Sequence, residues 1–400
     1  MDTQLHIDDT GTALRGRAQP PRSKEEPSFA SLGLHDALLR ALREAGYEQP
    51  TPVQRQAIPP ALEGRDVLAC AHTGTGKTAA FMLPILQRLL GPNDRRRDTR
   101  QIRALVLVPT RELAGQIADS AATYGRGTDL RHLAIFGGIS PRAQVTALKR
   151  GVDVLIATPG RLLDLLDQGF VCLSNIETLV LDEFDRMLDQ GFLPAIRRIV
   201  RLLPERRQTL LFSATTPAEQ ESVVRKFVRE PVRVSVHKNG STNETVAQSV
   251  RFVERGEKRA ELTHILQDPA ITCAMVFTRT KHGADRVVKH LTRAGIEAEA
   301  IHGNKSQAAR QRALGRFRTG TLRVLVATDV ASRGIDIDGI SHVINFDLPS
   351  DCESYVHRIG RTARAGRSGT ALSLCSLDER GALRRIERLI GQRLPEHAGA

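Results

Sequence analysis

The segment Ala71-His72-Thr73-Gly74-Thr75-Gly76-Lys77-Thr78 carries the residue types that a phosphate-binding turn needs. Glycines let successive backbone N–H groups close on phosphate oxygens, Lys77 can reach terminal phosphates, and Thr78 can offer its hydroxyl to Mg²⁺. Apart from Ala71 at the first glycine position, the spacing is that of a P-loop. Further on, the apolar run Leu179-Val180-Leu181 delivers Asp182-Glu183-Phe184-Asp185. Asp182 is suited to anchor Mg²⁺ and Glu183 to polarise or deprotonate an attacking water. Ser213-Ala214-Thr215 follows another apolar run and brings two hydroxyls that could bond a carboxylate such as Asp185; alone, the triplet reads as a helix N-cap. In the second half, His357-Arg358-Ile359-Gly360-Arg361-Thr362-Ala363-Arg364 packs arginines closely. Guanidinium groups so spaced can clamp a transferring phosphate from a second domain, or can form a basic surface helix.

Parallel α/β sheets bind ligands beyond the carboxyl ends of their strands, so strands must end at these positions. The chain supplies them in two series. Val67 to Cys70, Ala104 to Val108, Val154 to Ala157, Leu179 to Leu181 and Thr209 to Phe212 form the first. Ala274 to Phe277, Ala298 to Ile301, Arg323 to Ala327, His342 to Asn345 and Thr370 to Leu374 form the second. Each is a short run rich in Val, Leu and Ile, followed by a turn signal and a helical pattern, which is the rhythm of a parallel sheet flanked by helices. Between the series, Val236 to Thr245 turns polar and reads as a linker. Two α/β domains joined by a short hinge are expected.

Composition narrows the partners. The 400 residues are 40% hydrophobic and 26% charged, an ordinary globular mixture, and the net charge of +13 favours polyanions. No stretch approaches the roughly 20 apolar residues of a spanning helix, so no membrane role is expected and a cytoplasmic address is the default. Cys70, Cys172, Cys273, Cys352 and Cys375 are never spaced as C-x-x-C. They predict neither a zinc site nor a disulfide framework, and most read as buried filler.

From about Phe29 to Leu377 the chain resembles the DEAD-box RNA helicases of superfamily 2. Phe29 and Gly46-Tyr47 through Pro50-Thr51-Pro52-Val53-Gln54 are similar to the family's adenine-reading Q motif. The resemblance implies that Gln54 hydrogen-bonds the adenine edge, that Phe29 packs on its face, and that Thr73, Gly74, Thr75, Gly76, Lys77 and Thr78 bind the ATP phosphates with Mg²⁺. Pro109-Thr110-Arg111-Glu112-Leu113, Gly137-Gly138 and Thr158-Pro159-Gly160-Arg161 are similar to the RNA-contacting motifs of the first domain. Thr278 with Arg279, Gln307 with Arg310, and Thr328-Asp329 are similar to those of the second. Hydroxyls, backbone N–H groups and guanidinium groups of this kind bind sugar-phosphate. Arg333-Gly334-Ile335-Asp336 matches the segment that reaches the ribose, while His357, Arg361 and Arg364 match the family's histidine and two arginine fingers. Asp185 would link Ser213, Thr215 and His357 across the cleft.

The resemblance implies two RecA-like domains and an RNA-stimulated ATPase that unwinds or remodels short RNA duplexes or RNA-protein complexes. ATP and Mg²⁺ would be its cofactors, single-stranded RNA and short duplexes its partners, and added proteins the source of RNA choice. A monomer is expected. The implied division is a flexible tail over 1–26, the Q motif over 27–55, the ATP-binding domain over 56–235, a linker over 236–245, the second domain over 246–391 and a tail over 392–400. The arginines after Ser376, Arg380, Arg384, Arg385, Arg388 and Arg393, read as a terminal helix with a solvated or RNA-facing basic side.

Three departures stand out. Phe184 occupies the family's alanine position, so the motif reads DEFD, and the ring must find an apolar pocket or displace a neighbour. Hydrolysis is expected to survive, whereas impaired turnover would leave an RNA clamp. His72 replaces a glutamine. Ala363 replaces a glycine and would be strained at positive φ.

Overall fold

The computed structural model describes residues 28–71, 74–91, 101–214, 218–236, 246–329, 339–363 and 369–397. The expected tail over 1–26, most of the expected linker, and the site residues Thr73, Thr215, Gly334, Asp336 and Arg364 lie outside them.

Two parallel sheets organise the described residues. In chain order the first contains β1 (Val67–Ala71), β2 (Ala104–Leu107), β3 (His132–Ile135), β4 (Val154–Ala157), β5 (Thr178–Leu181), β6 (Gln208–Ser213) and β7 (Val232–Val236). Their spatial order is β3-β4-β2-β5-β6-β1-β7. The second sheet contains β8 (Val246–Phe252), β9 (Ala274–Phe277), β10 (Ala298–Ile301), β11 (Val324–Ala327), β12 (His342–Asn345) and β13 (Gly369–Cys375), in the order β10-β11-β9-β12-β13-β8. Thus the fold is α/β, with two RecA-like units in tandem.

Strands buried on both faces need apolar residues at every position, and β2, β4, β9 and β11 have them. Successive side chains then alternate between two cores. In the first sheet Ala69, Val106, Ile156, Val180 and Phe212 face helices Pro52–Leu62 and Lys77–Leu89, whereas Leu68, Leu107, Leu155, Leu181 and Leu211 meet Phe184, Ile196 and Phe227 on the other side. Strands β3, β7 and β8, absent from the sequence expectation, stand at sheet edges. The expected terminal helix spans Arg380–Ile390, with Leu383 and Ile386 buried. Among the cysteines the expectation of buried filler holds for Cys375 alone; Cys172 is exposed, Cys70 is half-buried, and Cys273 and Cys352 are half-buried because they pack only against the margin of the second domain's core.

Strand order sorts the motifs that the chain interleaves. β5, β6 and β1 are neighbours, so the P-loop, the acidic quartet and Ser213 emerge side by side. β3, β4 and β2 are neighbours too, and from their ends emerge Gly137-Gly138, Thr158-Pro159 and Pro109-Thr110. The second sheet groups Thr278, Gln307 and Thr328 beyond β9, β10 and β11 in the same way.

Candidate active site

On the nucleotide side, Gly76 closes the P-loop at φ +87° and caps the helix that begins at Lys77. A Cβ there would lie 2.4 Å from Gln54 Nε2, so glycine is required by crowding as well as by dihedral. Gln54 holds this turn directly. Its Nε2 donates to the Gly76 carbonyl at 3.0 Å, its Oε1 accepts from Thr51 N at 2.8 Å, and Thr51 Oγ1 donates to the Thr75 carbonyl at 2.7 Å. Gln54 is therefore buried against the P-loop, and Phe29 is 4% exposed and packed in the first domain's core.

Lys77 follows, with its ammonium buried and without a hydrogen-bond partner among the described residues. Asp182 lies close by. Burial pushes its carboxyl up to about 6, the Lys77 charge opposing that rise and Glu183 adding to it. Asp182 Oδ1 accepts from Glu183 N at 2.9 Å, and Glu183 adopts φ 51° and ψ 49°, a left-handed conformation uncommon for a residue with a side chain. Asp185 accepts from Arg186 N and from Ala214 N, each at 3.0 Å, and so ties the end of β5 to the end of β6.

Phe184 points away from these groups. Its ring is fully buried and meets Phe227 edge to face at 5.5 Å between centroids. The acidic neighbours keep their backbone bonds because the added volume enters the core on the opposite side of the strand end.

The second domain contributes Arg361, buried and bonded through Nε to the His357 carbonyl at 3.3 Å. Burial lowers its pKa to about 10, with Arg186 adding to the effect and Glu183 opposing it. Those influences set Arg361 in the same cleft as the first domain's acids. Arg186 itself donates from Nη1 to Glu183 Oε2 at 2.7 Å. Two residues beyond Arg361, Ala363 adopts φ 55°, the strained conformation foreseen for a residue at that glycine position.

On the other side of the cleft, many of the residues matched to RNA motifs have partners within the protein. Arg310 Nη2 lies 2.9 Å from Glu112 Oε1, and Gln307 Nε2 donates to the same oxygen at 3.2 Å. This contact joins the two domains. Asp329 is gripped by Arg358, whose Nη2 reaches Oδ2 at 2.7 Å and whose Nη1 bonds Asn345 and the Asp347 carbonyl. Arg279 reaches the buried Glu379 at 2.8 Å. Arg111 covers the glycine pair so closely that a Cβ on Gly138 would fall 1.8 Å from Nη1. Thr110 Oγ1 accepts from Leu113 N as a helix cap, whereas the Thr158 hydroxyl makes no such bond to the helix beginning at Pro159. Thr278 Oγ1 donates to the Thr280 carbonyl at 3.3 Å, and Thr328 is buried.

A cleft of about 540 Å³ is lined by Pro109, Thr110, Arg111, Gly137, Thr158, Gly160, Arg161 and Arg310 together with Glu112, Asp164, Gln190, Phe192 and Gly303. Asp164, Gln190, Phe192 and Gly303 were not singled out by sequence, and Glu112 was named only as a member of its motif. Gln190 and Phe192 follow a short helix with no motif to mark them. Among the described residues, the buried side-chain atoms lacking a partner include Lys77 Nζ, Arg161 Nη1, Gln307 Oε1 and Arg310 Nε. Buried polar atoms are rarely left so, and these four belong to residues facing the space between the domains.

Comparison with known proteins agrees with this geometry. Residues 51–223 match the DEAD/DEAH box helicase family and residues 257–366 the helicase conserved C-terminal domain. The DEAD-box ATP-dependent RNA helicase CshA of Bacillus cereus is 43% identical over 363 residues, covering 90% of this chain and 68% of that protein. The ATP-dependent rRNA helicase rrp3 of Emericella nidulans is 45% identical over 404 residues, covering 99% and 85%. Among solved structures, S. cerevisiae Dbp5 bound to RNA and ADP BeF3 superposes with a TM-score of 0.80 at 32% identity, covering 92% of this chain and 95% of the other. With its paired sheets, its P-loop beside the acidic quartet and this similarity along nearly its whole length, the chain belongs to the DEAD-box RNA helicase family.

Proposed function

We propose that this chain is an ATP-dependent RNA helicase, which hydrolyses ATP to ADP and phosphate when RNA is bound and separates short duplexes or remodels RNA-protein complexes. One observation carries the reading: the unpartnered ammonium of Lys77 is buried beside Asp182 in a cleft that Arg361 enters from the second domain. A triphosphate would satisfy Lys77 and offer Arg361 a further negative charge. Main-chain N–H groups of the P-loop would hold the phosphates. Glu183 would take the proton of the attacking water, and Arg361 would stabilise charge on the transferring phosphoryl group. Thr73, Arg364, Gly334, Asp336 and the Asp185-Ser213-Thr215-His357 link have these roles by resemblance.

The residues present suit Mg²⁺, which takes one or two protein oxygens and leaves its other positions to phosphate and water. The Asp182 carboxylate, disfavoured by burial, would gain a counter-charge, and the Thr78 hydroxyl is the second candidate ligand. When bound, the cation would neutralise charge on the phosphates.

RNA would lie along Pro109, Thr110, Arg111, Gly137, Gly138, Thr158, Pro159, Gly160 and Arg161, and meet Thr278, Arg279, Gln307, Arg310, Thr328 and Asp329 when the domains close. Backbone contacts of this kind would read RNA without strong sequence preference. Protein partners would then choose the RNA. The test is phosphate release and strand separation with RNA and with DNA of the same sequence. Stimulation by RNA and not DNA is expected; equal stimulation by DNA defeats the assignment.

A further inference from the structure

The catalytic reading leaves Arg186 unexplained. Its guanidinium is buried, and it pairs with Glu183 Oε2 at 2.7 Å, each side chain being 5% exposed. A buried ion pair seldom adds stability over apolar residues of the same volume, because desolvating both charges offsets their attraction. Burial here therefore asks for another reason.

The backbone around Glu183 supplies one. Asp182 Oδ1 accepts from Glu183 N, Asp185 Oδ1 accepts from Arg186 N, and Glu183 itself is held in the left-handed region. Non-glycine residues kept there cluster at functional sites, where the surrounding structure over-determines them. With the main chain held on both sides, the remaining freedom of Glu183 lies in its side-chain torsions. Arg186, one helical turn on, restricts those torsions: it occupies Oε2 and leaves Oε1 to accept from a water.

We propose that Arg186 is a positioning residue for ATP hydrolysis, fixing the Glu183 carboxylate so that its second oxygen meets the attacking water. This rests on the reading of Glu183 as the base. Arg186 touches neither nucleotide nor water in this role, so its effect should pass entirely through Glu183. A fork-shaped guanidinium fixes a carboxylate more tightly than the point charge of lysine.

The test is a mutant cycle on the full chain with saturating RNA, measured by phosphate release and by binding of a non-hydrolysable ATP analogue. Arg186→Gln is expected to lower kcat by about 10²-fold, the loss a misplaced catalytic group can produce, while KM and analogue affinity stay within about twofold. Arg186→Lys should recover part of kcat. In a Glu183→Gln background Arg186→Gln should cost nothing further in single-turnover rate, since groups acting as a unit are non-additive. Multiplying losses, or an Arg186→Gln enzyme as fast as the parent while Glu183→Gln is inactive, overturns the positioning role alone. A fully active Glu183→Gln enzyme removes the base assignment and this inference with it. Should Arg186→Gln not fold, Arg186→Lys carries the same cycle, and multiplicative behaviour there overturns the proposal equally.

Discussion

The proposed nucleotide side and the proposed RNA side of the cleft differ in how their charged residues are partnered. On the first, the Lys77 ammonium is buried without a hydrogen-bond partner among the described residues, and Asp182 is buried with its pKa raised. Arg310, Asp329 and Arg279, on the other side, are paired with Glu112, Arg358 and Glu379. The difference teaches that the nucleotide side is built for a charged ligand that completes it. On the proposed RNA side much of the charge is paired within the protein, so a bound strand would have to compete with those pairs.

Arg361→Ala presses hardest on this contrast. Losing a finger should lower RNA-stimulated turnover by about 10³-fold or more, and RNA affinity without nucleotide should stay within about twofold by filter binding. A parallel fall in that affinity would mean that the two sides are not separable.

Phe184→Ala asks whether the nucleotide side depends on the ring or only tolerates it. Removing a fully buried aromatic should destabilise the fold by about 3 kcal/mol, read as a lower denaturation midpoint, with kcat per folded molecule changed by less than about twofold. Faster turnover in the alanine variant would instead support the clamp reading, in which Phe184 impairs hydrolysis.

Glu112→Gln strikes the RNA side. It should raise the RNA concentration for half-maximal stimulation about tenfold, the size of one coupled pair, and leave ATP turnover without RNA unchanged. Exchanging the charges, Glu112→Arg with Arg310→Glu, should restore part of the loss. If neither change alters RNA stimulation, the interdomain pair has no role in closure.

The smallest effect is expected at Ala363. Glycine relieves the positive φ, so Ala363→Gly should stabilise the second domain by up to about 1 kcal/mol in thermal unfolding. An unchanged midpoint would show that the left-handed conformation is not a burden.

Legibility in sequence followed burial. Strands such as β2 and β11 are apolar at every position and stand out as short runs. At the edges β3 is mostly half-buried, β7 and β8 mix exposed and buried residues, and β7 alternates Val with Arg and Ser. Their sequences resemble loops because one face meets water. The site was legible where a residue type at fixed spacing has one obvious chemistry, as at Lys77, Asp182 and Glu183. Arg186 stayed hidden, and Glu112 was named in its motif without a partner, because an arginine or a glutamate near a helix start is ordinary until its partner is known.

The sequence by itself determined the two series of strands, the phosphate-binding turn and the acidic quartet, since each depends on near neighbours in the chain. Only the tertiary structure decided which motifs share a side of the cleft. Along the chain the RNA motifs at 109, 137 and 158 fall between the nucleotide motifs at 77 and at 182 and 213, and the order β3-β4-β2-β5-β6-β1 gathers each group on its own side. It also decided that Glu112 meets Arg310, that Arg358 meets Asp329 and that Phe184 turns to Phe227. The physical reason is common to all of these: buried charges and rings take their partners from strand order and domain contact, which no local spacing encodes.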